Sequence, residues 1–123
     1  MKFTLESSSN VNLVRAYSAS GIRIGELELH SSCLVTAEEV IGDWEPQRLS
    51  ELSVGHLERI YALRPEVVLV GTGMSQQFAP YAIRASFAEH GIGIESMDLG
   101  AACRTFNILV QEDRRVVAAL FLR

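Results

Sequence analysis

Residues suited to chemistry concentrate in the second half of this 123-residue chain. Gly71-Thr72-Gly73 follows the apolar run Val67-Val68-Leu69-Val70 and precedes a helix that opens near Pro80. A glycine loop between a buried strand and a helix is where open α/β sheets bind ligands, and its backbone N–H groups can face an anion. Ser96, near the end of the next apolar stretch, offers a hydroxyl, and Arg104, in the second turn of the last helix, offers a guanidinium that pairs with carboxylate or phosphate. Gly71, Thr72, Gly73, Ser96 and Arg104 are therefore the candidate ligand-binding set. Each has a plainer reading as well: two glycines make a tight turn, and an arginine locks an ion pair or reaches solvent. As a dinucleotide fingerprint the loop fails, because Gln76 stands where the third glycine belongs. Asp98 follows the next strand, where a ribose-binding carboxylate would stand, yet it is better explained as a helix cap. No cofactor is expected.

General acid–base or nucleophilic chemistry has less to build on. His30, His56 and His90 fall on a strand end, a helix and a helix C-terminus, and none lies beside a Ser or Cys in a nucleophile elbow. His90 suits the negative end of a helix dipole. Cys33 and Cys103 lack metal-ligand spacing; Cys103 falls on an apolar stripe, where a thiol is an inert small hydrophobe, and both are expected reduced. Glu38-Glu39 and Glu112-Asp113 read as solvated pairs in turns. No catalytic constellation and no metal site is expected, so the chain leans away from being an enzyme.

These residues need elements to hold them. The Ser-rich start, residues 1–10, reads as a flexible arm, and residues 11–123 as a single domain. Val11, Leu13 and Tyr17, the turn Ser18-Ala19-Ser20-Gly21, and Ile22 and Ile24 make a hairpin. A phase slip at Gly25 predicts a bulge or bend, and a strand over about 33–36 is expected to complete an antiparallel meander. Residues 42–48 form a loop carrying the sole tryptophan, Trp44. A helix from about Ser53 ends at Arg64-Pro65, a buried strand covers 67–70, and a helix from Pro80 buries Ile83 and Phe87 before Gly91. Ile92, Ile94 and Met97 suggest a second buried strand. Asp98 caps a helix whose stripe is Leu99, Ala102, Cys103, Phe106, Leu109 and Val110, and residues 116–122 close with a buried strand. Ala101, Arg104 and Ile108 form a weaker second line on that helix, covered by the meander or by a partner protein. The order is that of an α/β sheet with a β appendage.

Composition excludes several classes. A net charge of −4 with scattered arginines gives no attraction to phosphate backbones, so nucleic acid is not an expected partner. Asp113, Arg114 and Arg115 interrupt the most apolar quarter, so no integral membrane segment is expected. The N-terminus matches neither signal nor transit peptide, and a cytoplasmic location follows as an expectation. The sequence sets no oligomeric state.

The blocks Val67–Gly73 with Pro80, Gly91–Asp98, Ala101–Leu109 and Asp113–Leu120 resemble, in their combined order, the Mth938-like (DUF498) family. The resemblance runs from about Val11 and implies one three-layer α/β domain: a central mixed sheet, flanking helices and an added N-terminal β hairpin or meander. The family includes a mitochondrial assembly factor of respiratory complex I that works through protein partners, and it lends no catalytic residues. With no transit segment in view, a bacterial cytoplasm is the implied setting. Two readings stay open. One is a non-enzymatic interaction or assembly factor whose partner-binding residues would be Trp44, Ala101, Arg104 and Ile108. The other is a small-molecule or anion-binding protein, or an enzyme, using the glycine loop.

Overall fold

A computed structural model of the protein describes residues 2–4 and 11–123. Among these, β1 (Lys2–Thr4), β5 (Cys33–Val35), β6 (Glu39–Ile41), β7 (Val67–Thr72), β8 (Gly93–Met97) and β9 (Val116–Phe121) form a six-stranded mixed sheet in the order β1-β6-β5-β9-β7-β8. β9, β7 and β8 run parallel, while β5 joins β9 antiparallel through Cys33 opposite Leu120 and Val35 opposite Ala118. A separate three-stranded meander holds β2 (Val14–Ser18), β3 (Gly21–Ile24) and β4 (Leu27–Leu29). The helices are α1 (Leu57–Ala62), entered through a 3-10 turn at Val54–His56, α2 (Tyr81–Glu89) and α3 (Leu99–Gln111). This is the three-layer α/β arrangement, a central mixed sheet with flanking helices and an added β meander, that the sequence leads one to expect.

Both faces of the sheet are covered because β9 is apolar at every position. Val116, Ala118 and Leu120 join one core with α3 and the meander, through Leu99, Ala102, Cys103, Phe106, Ile22 and Ile24. Val117, Ala119 and Phe121 join the other with α1 and α2, through Leu57, Ile60, Ile83, Phe87 and Trp44. A six-residue strand can serve two cores only if its side chains alternate between them, which is what a buried strand does. Asp98 caps α3 as its position predicts, its carboxylate accepting from the Ala101 N–H at 2.9 Å.

Several expectations are corrected. Gly25 is no bulge: at φ +59° it shapes the two-residue turn between β3 and β4, which makes Leu27–Leu29 the third strand of the meander. The segment at Cys33–Val35 instead enters the large sheet. Glu39 begins a strand, β6, rather than ending a solvated pair. β8 is an edge strand, half-exposed where full burial was expected. At the N-terminus, Lys2–Thr4 pair antiparallel with β6, so the expected arm is replaced there by a strand; Met1 and residues 5–10 lie outside the described residues.

The meander is held by an unusual bond for so short a strand. The Asn107 side chain, on α3, accepts from the Val14 N–H at 2.8 Å and donates to the Val14 carbonyl at 3.0 Å. One amide thus takes both backbone groups of Val14, and the β2 register against β3 shifts between Val14 and Ala16. Val14 is buried, whereas Val11 and Tyr17, the residues the alternation favours, are exposed. Asn107→Ala leaves that donor and acceptor unpaired in a partly buried site. The expected loss is about 2 kcal/mol in urea unfolding; an unchanged midpoint would show that the bond does not hold the meander.

Candidate functional site

At the C-terminal ends of the parallel strands, β7 leads into α2 on one face and β8 leads into α3 on the other. Connections leaving adjacent strands toward opposite faces open a crevice, the usual ligand site of such sheets. Here the crevice is filled by the chain that leaves β7. The buried Thr72 hydroxyl donates to the Ser75 carbonyl at 2.7 Å, lies 3.2 Å from the Met97 carbonyl, and accepts from the Gln77 N–H at 3.0 Å. The Gly73 carbonyl accepts from the Leu99 N–H at 2.7 Å. With Ala101 N–H already held by Asp98, the first turn of α3 has little left to offer an anion.

Both glycines answer to packing. A Cβ on Gly71 would sit 3.0 Å from Leu120 Cδ2 and 3.1 Å from Ala102 Cβ, so its absence lets α3 approach the sheet closely. Gly73 has φ +79°, and a Cβ there would sit 2.9 Å from the backbone of Arg123. Ser96 Oγ accepts from the Ala79 N–H at 3.4 Å. Arg104 Nη1 donates to Tyr17 Oη at 2.8 Å, which ties α3 to the meander. The structure thus gathers Gly71, Thr72, Gly73 and Ser96 at one end of the sheet and joins Arg104 to β2.

Of the residues proposed for a partner, Trp44 is corrected: only 3% exposed, it packs in the core with its ring centroid 5.7 Å from that of Phe121. Its place in the loop of residues 42–48 leaves the indole free to turn inward, where it packs beside β9. Ala101 is half-buried, and Ile108 is 55% exposed on α3.

The three most exposed large apolar residues among those described were not singled out by sequence. Met74, Phe78 and Tyr81 are 69%, 76% and 75% exposed, all on the segment that fills the crevice and opens α2. A signal was present: between Glu66 and Glu89 there is no acidic residue and only one basic one, Arg84, in a chain with 15 acidic residues. Arg84 lies over the Tyr81 ring at 5.7 Å and donates to the Ala79 carbonyl.

Elsewhere among the described residues, hollows of about 400–420 Å³ open on the surface. One of them is lined by Trp44, Glu45, His56 and Arg59. At its margin Ser53, which is not part of its lining, lines up with His56 and Glu45 like a nucleophile with a base and an acid, with 3.2 and 3.3 Å between them. The Ser53 backbone N–H, however, donates to His56 Nδ1 at 3.0 Å and occupies the lone pair a base would use. The trio therefore caps the turn into α1. His90, at the end of α2, stacks on Tyr61 with 4.0 Å between centroids.

Burial pushes the Cys33 thiol up to about 12, with Cys103 adding to the shift, and burial likewise pushes Cys103 up to about 12. The fold thus favours both protonated thiols; stability on this account is full below pH about 9 and declines as pH rises from there toward 12. Both cysteines are free, so a disulfide-exchange reagent at pH about 8 should leave the folded protein unmodified and label both thiols on unfolding. Labelling of the native state would contradict this burial. Thr72→Val, nearly isosteric, removes the hydroxyl that closes the loop and should lower stability by about 2 kcal/mol in urea unfolding. A midpoint that did not move would mean that the loop closes without it.

The chain is 37% identical over 68 residues to the "13 kDa major membrane protein" of Francisella tularensis, covering 55% of each chain. It is 30% identical over 117 residues to "NADH dehydrogenase [ubiquinone] 1 alpha subcomplex assembly factor 3" of Danio rerio, over 94% of this chain and 67% of that one. It thus spans between about half and two thirds of these relatives' length. A solution structure from Bordetella pertussis described as a Mth938-like domain superposes with a TM-score of 0.79 at 29% identity, covering 98% of this chain and 92% of that one. Residues 14–121 match the model of the family described as "Protein of unknown function (DUF498/DUF598)", and the chain belongs to that family.

Proposed function

We propose that this protein is a non-catalytic interaction factor that serves the assembly of a respiratory complex, and that it meets its partners at the end of the sheet carrying Met74, Phe78 and Tyr81. One observation carries the reading: the segment that fills the ligand crevice turns three large apolar side chains to solvent. Single exposed hydrophobes are ordinary, but a group of them on one uncharged segment is the composition of a binding surface, where aromatic residues and methionine are enriched. The named role of the assembly-factor relatives supports the same direction. An anion at the glycine loop is the weaker reading, because Thr72 and Gly73 spend their polar groups on the loop and on α3.

A cytoplasmic location belongs to this proposal. No helix among the described residues is long and apolar enough to cross a membrane. Docking onto a membrane-bound complex from the cytoplasm would carry the protein into the membrane fraction, as the name of the Francisella relative suggests for that protein.

Tagged wild-type protein and a Met74→Ser/Phe78→Ser/Tyr81→Ser variant should be compared by co-purification from detergent-solubilised membranes. All three side chains are exposed, so the variant is expected to keep its melting temperature. Wild type should enrich subunits of the NADH:ubiquinone oxidoreductase, and the folded variant should recover at least about tenfold less. Equal recovery by both would overturn the surface, and no such subunits with either would overturn the assembly role.

A further inference from the structure

The edge strand β8 lies beside the apolar segment, and the two together make a site for one kind of partner. In the parallel ladder Val67 faces Gly93, Leu69 faces Glu95 and Gly71 faces Met97. The Gly93 N–H donates to the Glu66 carbonyl at 3.3 Å, on the β7 side. Backbone groups alternate along a strand, so Gly93, Glu95 and Met97 bond toward β7, and Ile94 and Ser96 turn theirs outward. The only bond on that outer row among the described residues is a long one, Gln76 Nε2 donating to the Ser96 carbonyl at 3.4 Å.

The two faces of this edge differ. Ile94 packs toward the α2 core, and the Ala79 N–H reaches Ser96 Oγ, which brings the Met74–Tyr81 segment against that face. Met97 packs toward the α3 core, so Glu95 shares the α3 face. Glu95 is exposed and has no ion-pair partner among the described residues. A second copy pairing antiparallel about Glu95 would set two carboxylates opposite one another, the arrangement by which natural edges resist self-association. An edge whose hydrogen-bonding row is open but for that one long bond among the described residues, with an apolar shelf on one face and a lone carboxylate on the other, suits a different chain.

We infer that an extended segment of a partner protein adds to β8 as a further strand of the large sheet. Its side chains alternate between apolar residues, lying on the α2 face against Ile94 and the Phe78–Tyr81 shelf, and a Lys or Arg beside Glu95 on the α3 face. This is strand addition, in which main-chain bonds supply affinity and alternate side chains supply specificity. It rests on the reading of this end as a protein-binding surface and names the form the partner takes there.

The probe is an acetylated, amidated Val-Lys-Val-Lys-Val-Lys peptide titrated into isotope-labelled protein and followed by amide NMR. Saturable shifts are expected at Ile94, Glu95 and Ser96, with exchange of the Ile94 amide slowed by at least about tenfold at saturation. Glu95→Lys should weaken binding by about tenfold, and a peptide N-methylated on its bonding edge should not bind. Equal binding of the N-methylated peptide would overturn strand addition while leaving the apolar surface intact. Absence of binding by the unmodified peptide would overturn the proposal too, whereas the assembly role would still stand or fall on the co-purification. A dimer in sedimentation that Ile94→Pro dissolves would identify a second copy as the occupant, against the proposal.

Discussion

The double burial of β9 is the constraint from which the other features follow. Val116–Phe121 lies between an antiparallel neighbour, β5, and a parallel one, β7, with a core on each face. A strand so placed can carry no polar side chain, and its backbone groups must all find partners in the ladder. Ala118 and Ala119 at its centre leave room for large residues from the flanking layers, among them Phe106 on one side and Phe87 on the other. Gly71 and Ala102 then let α3 settle close to the sheet. The glycine loop, with its look of a ligand site, is in large part a product of this packing.

How well sequence conveyed the structure depended on the range of the interactions involved. Elements defined by local pattern were legible: the stripe of α3, the Asp98 cap, the apolar runs of β7 and β9, and the helix opened by Pro80. Partner choice was not. Cys33–Val35 and Leu27–Leu29 are both short apolar stretches, and only contact with β9 decides that the first joins the large sheet. β8 looked buried because Ile92, Ile94 and Met97 are apolar, but its position at the sheet margin is set by the path of α3 across β7, which no local pattern records. At the candidate site, the loop and Ser96 lie at the same end of the sheet because of their place in the strand order. Arg104 was drawn away by Tyr17, a residue far off in the chain, and Trp44 was buried by Phe121.

A crevice that closes on itself changes what the end of an α/β sheet can do. The hydroxyl of Thr72, the carbonyl of Gly73 and the Leu99 N–H would otherwise face a small ligand, and here they bond to one another's segments. Spending them internally fixes the loop in one conformation, which is what allows it to hold large apolar side chains in water. A loose loop would fold those side chains inward; a braced one keeps them presented. The sheet end that leaves polar groups free for a small ligand in other α/β folds is here closed by its own loop.

The amide of Asn107 has a further implication for how the meander is held. By occupying both backbone groups of Val14 it fastens the meander to a helix, and no strand pairing joins the meander to the six-stranded sheet among the described residues. Parting β2–β4 from α3 would break no rung of the main ladder, yet it would uncover Ile22 and Ile24, which share a core with α3 and β9. The meander is thus bound to α3 through side chains, so its hold depends on packing and on the bonds of Asn107 and Arg104 where the strands of the large sheet rely on a backbone ladder.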